Sequence, residues 1–236
     1  PLAKALLTPE LALGMLFLCA LPSTVQSSIA FTSMAGGNVA AAVCSASLSS
    51  LLGVFLTPWL MTLLAGSSGA MANPLQAVGK IMLLLLAPFV LGHLLRPLIG
   101  GFVRRHRLLT MMVDRGSILL IVYSAFSGST NSGLWSQIPV PAMVLSLLAV
   151  SVFLALAMAI MAGTGRLMRM PQADQAVLFF CGSTKSLASG LPIASAIFPA
   201  ATVGATVLPV MMYHMLQLLV CSVIAQRMAR RAVPGG

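Results

Sequence analysis

The 236-residue chain is 59% hydrophobic and only 7% charged, whereas soluble domains average about 25% charged residues. This composition excludes a water-soluble fold. Thirteen Lys and Arg against three acidic residues give a formal net charge of +10, which in a soluble protein would suggest nucleic-acid binding. Here the basic residues lie between apolar runs, so membrane topology explains them better and no nucleic-acid partner is predicted.

Three long stretches of the chain carry no Asp, Glu, Lys or Arg. They cover residues 11–79, 116–165 and 186–226, and are 69, 50 and 41 residues long. One bilayer-spanning helix needs about 20 apolar residues, and these segments lack the strand-like alternation of a membrane barrel. We therefore predict an all-α polytopic membrane protein. The seven predicted spans are residues 9–35, 38–64, 74–96, 108–128, 138–163, 172–199 and 202–226.

All Arg residues fall on one side of this predicted arrangement. They lie in or beside the segments 97–107, 164–171 and 227–236. Because Lys and Arg are retained on the cytoplasmic side of a membrane, we predict that this side, which includes the C-terminus, is cytoplasmic.

The first and sixth predicted spans are interrupted by small polar residues, and their patterns match. They read PELALGMLFLCALPSTVQSSIAF and PQADQAVLFFCGSTKSLASGLPIASAIF. Each opens with Pro and an acid (Glu10, Asp174), continues apolar to a Cys, and breaks at Pro22 or Gly182 before a Ser-Thr pair. Spans that are five apart enter the membrane from opposite faces. The shared pattern therefore predicts an inverted repeat with two broken, crossing helices.

These interruptions are the predicted location of the binding site. A helix broken in the hydrocarbon region frees backbone N–H and C=O groups, which persist only where protein, water or ligand satisfies them. In transporters, matched interruptions of this kind point to the substrate and ion site. The alternative is that Pro22 and Gly182 are simple kinks, with Ser and Thr bonding back to their own helix. The matched pair favours a site. Its candidate ion- or substrate-binding residues are Ser23, Thr24, Gln26, Ser27, Ser28, Cys181, Ser183, Thr184, Lys185 and Ser186.

Lys185 is the charged residue of the second interruption. An intramembrane Lys costs about 2.5–3.5 kcal/mol on insertion scales, so it either serves a function or extends to an interface. Long apolar runs on both sides favour a function. In one version its ammonium takes the space of a bound sodium ion, coordinated by carbonyls of both breaks; in another it attracts an anionic substrate.

Three further polar residues are weaker candidates. Asn38 lies one residue into a predicted helix, where it serves either the helix N-terminus or the site. His214 and Gln217 lie at i and i+3 of the last span and share a face. They either reach the crossing segments, or His214 is a satisfied core histidine, which is the better supported alternative.

Several of these segments resemble the bile acid:sodium symporter family (solute carrier family 10). Residues 36–58, GGNVAAAVCSASLSSLLGVFLTP, are similar to the family's fifth helix, CALPSTVQSS to the break of its fourth, and FFCGSTKSLASGLPIA to its broken ninth. In detail, VDRGSILLIVYSAFS and CGSTKSLASGLP resemble a bacterial branch of candidate symporters that is close to vertebrate member 7. The resemblance covers essentially the whole chain.

The resemblance implies ten helices in two inverted repeats, with a core domain that rocks against a panel domain. This chain would span helices four to ten, and the N-terminal helices one to three would be missing from it. The implied domains are 1–64 (core helices four and five), 65–137 (panel-type helices six and seven) and 138–236 (core helices eight to ten). The implied location is a bacterial inner membrane.

Carried over residue by residue, the family's sodium ligands are incomplete. Its Ser-Asn pair in the fourth helix falls on Ser27 and Ser28, with Ser28 the better candidate. Its fifth-helix Ser and Thr fall on Ala42 and Ala46, and its ninth-helix acid falls on Phe180.

The resemblance leaves a few oxygen ligands for sodium. Ser45 or Ser47 would have to replace the missing hydroxyls of the fifth helix. The remaining candidate sodium ligands are Ser28, Ser183 and Thr184. Sodium is the one cofactor that these ligands leave open and we predict no other; the four Cys residues, all within apolar runs, indicate no metal.

The expected activity is secondary active transport, of the symporter-like type, of a small amphipathic organic anion by alternating access. The alternatives are a sodium-independent or proton-coupled carrier, or a non-transporting membrane regulator. No enzyme is predicted, because the three acids lie near span ends and neither HExxH nor GxSxG occurs. The expected partners are the organic anion and the lipid bilayer; the substrate, coupling ion, direction and oligomeric state stay open.

Overall fold

The computed structural model describes residues 8–65, 74–131, 133 and 138–232. The described residues form helices and no strands. The helices are α1 Pro9–Ala20, α2 Gln26–Met34, α3 Val39–Ala65, α4 Pro74–Arg105, α5 Arg107–Asn131, α6 Val140–Leu167, α7 Gln172–Ser183, α8 Leu187–Ile197 and α9 Ala200–Ala232.

Four helical segments of the described chain are long and apolar enough to cross a membrane. They are Val39–Leu64, Val140–Leu167, Gln172–Ile197 and Ala201–Arg230, the third of which joins α7 and α8. The predicted spans 74–96 and 108–128 lie within α4 and α5, which are 32 and 25 residues long. Large apolar side chains stay exposed along α3 to α6, as a surface that faces lipid requires. The predicted all-α polytopic membrane fold is confirmed.

The first predicted span is two short helices rather than one rod. α1 ends at Ala20, and Leu21 adopts an extended conformation, with φ −71° and ψ 144°. The cause is Pro22, which has no N–H and disfavours a helical conformation for the residue before it. Residues 21–25 form the first break, and α2 begins at Gln26.

The sixth predicted span is broken two residues later than its pattern indicates. Gly182 belongs to the last turn of α7, where Met161 packs against it. Thr184 is extended, with φ −95° and ψ 149°, and residues 184–186 form the second break. Ser186 then caps α8, because its hydroxyl accepts a hydrogen bond from the Ser189 N–H at 3.2 Å.

Helix α9 holds both breaks in place. It packs most extensively against α1 and α5, then against α6 and α8, and also contacts α2. The core beside it includes the fully buried Phe17, Phe180 and Tyr213. On the other side α3 approaches closely, since a Cβ at Gly53 would lie 2.5 Å from the Pro22 ring. α3 therefore packs directly against the first break.

The predicted division into core and panel-type helices stays a prediction. Its boundaries, at residues 64/65 and 137/138, fall beside the segments 66–73 and 134–137, which lie outside the described residues. Within the described part, α8 contacts α4 and α5, so helices assigned to the two domains touch.

Candidate functional site

The two breaks meet through a main-chain hydrogen bond. The N–H of Ser186 donates to the carbonyl oxygen of Pro22 at 2.8 Å. These residues are separated by more than 160 positions in the sequence, so the bond is a tertiary contact between the two breaks. The predicted contact between the broken helices is therefore present.

Five of the predicted site residues form a cluster of hydroxyl groups where the breaks meet. Ser28 Oγ lies 2.7 Å from Thr184 Oγ1 and 2.9 Å from Thr24 Oγ1. Ser23 Oγ lies 3.3 Å from Thr184 Oγ1, and Ser27 bonds to Thr24. Because Thr184 donates its own proton to the Phe180 carbonyl at 2.8 Å, Ser28 must donate to Thr184.

The Lys185 ammonium caps the C-terminal end of α1. Its Nζ donates to the carbonyl oxygens of Leu21 at 2.8 Å and Cys19 at 3.2 Å. The last carbonyls of a helix have no partner within it and carry the negative end of the helix dipole, so an ammonium is favoured there. The prediction was that carbonyls of both breaks would coordinate this ammonium. Its two described hydrogen bonds instead go to carbonyls of α1 and of the first break.

The main chain of the second break is held by side chains of α9. Gln217, which is fully buried, accepts the Lys185 N–H at 2.7 Å and donates to the Lys185 carbonyl at 2.8 Å. Tyr213 Oη donates to the Ser183 carbonyl at 2.6 Å. His214 Nδ1 lies 2.8 Å from Gln217 Nε2. Of the two open alternatives for this pair, the structure shows the one in which it reaches the crossing segments.

Side chains of α3 likewise form hydrogen bonds with the main chain of the first break and with the end of α1. Thr57 Oγ1 donates to the Ala20 carbonyl at 2.7 Å, and Ser49 Oγ accepts the Ser23 N–H at 3.1 Å. The backbone groups that the two interruptions free are therefore paired by hydroxyl and amide side chains, as a low-dielectric interior requires. Thr57, Ser49 and Tyr213 were not predicted. The available signal for Thr57 was a polar residue in an apolar part of its helix, whereas Ser49 is one of several serines in α3 and Tyr213 adjoins His214, so neither stands out.

The expected sodium positions are largely apolar. Ala42 and Ala46 are fully buried in a cluster with Val177 and Cys181. Phe180 is fully buried too, with its ring 5.8 Å from that of Phe31. In the described residues, no group of three or more His, Cys, Asp or Glu could hold a metal ion.

Of the three candidate sodium ligands, the structure brings two together. Ser28 and Thr184 share the hydroxyl cluster. Ser183 Oγ instead donates to the Phe179 carbonyl of its own helix at 2.6 Å. Cys181 contacts the Ala42 carbonyl and lies beside Ser45.

Asn38 lies away from the crossing segments. It precedes α3 rather than belonging to it, and its Oδ1 accepts the Ala41 N–H at 3.1 Å. Its Nδ2 donates to Asp174 Oδ1 at 3.0 Å, in the first turn of α7. Asp174 and Thr184 are separated by about 15 Å along that helix. Asn38 therefore joins α3 to α7 at the helix N-terminus, which was one of its two predicted roles.

A cavity of about 590 Å³ opens beside the crossing segments. It is bordered by the first residues of both α2 and α8, whose N–H groups favour anions. Hydroxyl, amide and imidazole groups share its wall with apolar side chains, and none of the described lining residues carries a carboxylate. The lining residues are Thr24, Val25, Gln26, Ser27, Ser50, Ser186, Leu187, Ala188, Ser189, His214 and Leu218.

Sequence comparisons place this architecture among known proteins. The profile of the SBF-like CPA transporter family matches residues 1–230. The chain is 53% identical over 231 residues to the Pseudomonas aeruginosa protein PA2026, covering 98% of this chain and 69% of that protein. It is 49% identical over 223 residues to the Escherichia coli protein named "Putative symporter YfeH", covering 94% and 67%.

A more distant relative is the rat protein named "Sodium/bile acid cotransporter 7". The identity is 26% over 207 residues, which cover 86% of this chain and 60% of the rat protein. The chain thus spans about two thirds of the length of its bacterial relatives. The predicted resemblance is confirmed, and a transporter rather than an enzyme is indicated: the chain belongs to the SBF-like CPA transporter family.

Proposed function

We propose that the full-length protein is a secondary active carrier of a small amphipathic organic anion, and that it works without sodium. The observation that carries the proposal is the Ser186–Pro22 hydrogen bond, which joins two broken helices beside an open cavity. Paired interruptions are the part of a transporter that forms its substrate site. Rocking of the core helices against the panel-type helices would expose this cavity to each side in turn.

The cavity wall supports an anionic and amphipathic substrate. The N-termini of α2 and α8 present backbone dipoles to it, and Gln26 and Ser27 add side-chain donors. Val25, Leu187 and Leu218 provide apolar contact. None of the described lining residues carries a carboxylate, the group that would repel an anion.

The position of Lys185 supports sodium independence. Its ammonium already supplies a positive charge to the Cys19 and Leu21 carbonyls. Ala42, Ala46 and Phe180 supply no oxygen where the resemblance places ligands. The name of one relative includes the word symporter, and that of another includes sodium/bile acid cotransporter. A sodium-coupled carrier is therefore the competing proposal.

We further place the protein in a bacterial inner membrane with a cytoplasmic C-terminus. The relatives PA2026 and YfeH are bacterial. In the described chain, Arg166 lies in the last turn of α6 and Arg227 and Arg230 near the end of α9, in agreement with the cytoplasmic retention of basic residues.

The test is uptake into proteoliposomes that contain the full-length protein. A panel of labelled bile acids, steroid sulfates and aromatic carboxylates is supplied in sodium or choline buffer. We expect saturable uptake of at least one anion at equal rates in both buffers. Ala188→Trp, which fills the cavity, should abolish uptake, whereas Ala155→Trp on an exposed face of α6 should not.

Two results would refute parts of this proposal. Uptake that requires sodium would exclude Lys185 as a replacement for the ion. A correctly folded preparation that transports none of the panel would favour the non-transporting regulator.

A further inference from the structure

Two residues of α9 connect the cavity to the main chain of the second break. Gln217 is bonded to both the N–H and the carbonyl of Lys185, at 2.7 and 2.8 Å. His214 lies one helical turn earlier, lines the cavity, and places Nδ1 2.8 Å from Gln217 Nε2. A chain of hydrogen bonds therefore runs from the cavity wall to the crossing segments.

The orientation of the Gln217 amide is determined by its main-chain partners. The Lys185 N–H requires an acceptor, which must be Oε1, and the Lys185 carbonyl requires a donor, which must be Nε2. The second hydrogen on Nε2 points to His214 Nδ1. Because Nδ1 accepts this hydrogen bond, it carries no proton, and the imidazole is neutral with its proton on Nε2.

Protonation of His214 is incompatible with this arrangement. A proton on Nδ1 would face the Nε2 hydrogen of Gln217, and the attractive contact would become repulsive. The Lys185 carbonyl also lies beside the His214 ring, so the new Nδ1–H would compete with Gln217 for that acceptor. In either case Gln217 must release the carbonyl or turn away from His214.

We propose that His214 is a proton-binding site reached from the cavity, and that Gln217 transmits its protonation to the second break. Neutral His214 keeps the Lys185 main chain attached to α9, and protonated His214 releases it. Gln217 is a positioning residue, since it acts through the main chain of Lys185. The consequence for transport rests on the proposed carrier function; the structural link between His214 and Lys185 does not.

The other titratable groups around His214 do not replace it. The Lys185 ammonium is directed at α1 carbonyls, beside Cys19, and Tyr213 is bonded to Ser183. α2, α3 and α8 present only uncharged side chains to the cavity. The remaining charged or titratable groups on the packed elements lie elsewhere on their helices: Glu10 at the start of α1, Arg166 in the last turn of α6, Cys221, Arg227, Arg230 and Arg231 further along α9, and Arg107, Asp114, Arg115 and Tyr123 of α5. The side chains of Arg107, Asp114, Arg115 and Arg231 are outside the described set.

Hydrogen–deuterium exchange tests the link without any transport measurement. Full-length protein in nanodiscs is exchanged between pH 5 and 8, and the rate of the Lys185 amide is corrected for its intrinsic pH dependence. We expect protection of that amide to fall by about tenfold at the acidic end, as loss of one hydrogen bond implies. His214→Asn, whose Oδ1 accepts from Gln217 but does not titrate, should keep the protection at every pH.

The matched control is His106→Asn, which changes an exposed histidine stacked on Phe102. It should retain the wild-type pH dependence. Constant protection in the wild type, or an unchanged pH dependence in His214→Asn, would overturn the inference.

Uptake assays then separate this inference from the proposed function. If both hold, anion uptake by the wild type changes over the same pH range in which protection falls, and His214→Asn removes that dependence. Protection that depends on His214 in a protein without uptake would support the proton site and refute the carrier.

Discussion

Removal of the Lys185 ammonium tests the role of the cation at the end of α1. Lys185→Ala deletes charge-assisted hydrogen bonds to the Leu21 and Cys19 carbonyls, at 2.8 and 3.2 Å. Two such bonds contribute about 3–6 kcal/mol, whereas an intramembrane Lys costs about 2.5–3.5 kcal/mol. The net destabilisation is therefore centred on about 1.5 kcal/mol, with limits of about −0.5 and 3.5 kcal/mol. For a chain of this size each kcal/mol lowers Tm by roughly 2–4 °C.

Thermal unfolding of the full-length protein in nanodiscs, with and without sodium, measures both the loss of stability and its recovery by sodium. The wild type should show one Tm in sodium and choline buffers, because its own ammonium occupies the carbonyls. Lys185→Ala should unfold at a lower temperature in choline and recover part of the loss in sodium, which can bind the vacated oxygens. Arg227→Ala, at an exposed position near the end of α9, is the control for loss of a basic residue.

One result would refute this reasoning about Lys185. If Lys185→Ala has the Tm of the wild type in both buffers, and its anion uptake keeps the same rate and the same response to sodium, the ammonium neither stabilises α1 nor replaces an ion.

Three further substitutions test the packing and hydrogen bonds of the site by thermal unfolding. Gln217→Leu should destabilise by about 2–6 kcal/mol, since two buried backbone groups of the second break lose their partners; a change below 1 kcal/mol would show that these groups find others. Gly53→Ala should cost about 1–3 kcal/mol through overlap with the Pro22 ring, whereas Gly163→Ala, with open space around it, should be neutral or stabilising. Thr184→Val should cost about 1–3 kcal/mol by removing the acceptor at the centre of the hydroxyl cluster, and Thr184→Ser, which keeps the oxygen, should recover most of that.

The fold and the first break could be predicted because their causes are local. Long uncharged runs require helices in a bilayer, and Pro22 removes a donor wherever it lies. The second break could not be placed to the residue, because Gly182, unlike Pro22, keeps its N–H and can stay in a helix, and it lies in the last turn of α7.

The site was predictable as a set of residues but not as a set of contacts. The hydroxyl residues adjoin the interruptions in the sequence, so position alone identified them. Tyr213, Thr57 and Ser49 bond to backbone groups that lie 26 or more residues away in the sequence. Such a partner is decided by tertiary packing, and no pattern within their own helices shows it.

The Lys185 ammonium, a cation fixed to the chain, also limits which ion can drive the proposed carrier. An ion can drive transport only if it binds on one side of the membrane and leaves on the other, and an ammonium fixed to the chain does neither. If Lys185 fills the cation position, secondary active transport must therefore use another ion. In the described cavity wall the titratable side chain is His214, and its neutral form is the one that holds the second break. In the proposed carrier, the Lys185 ammonium takes the place of sodium, which leaves the proton at His214 as the coupling ion.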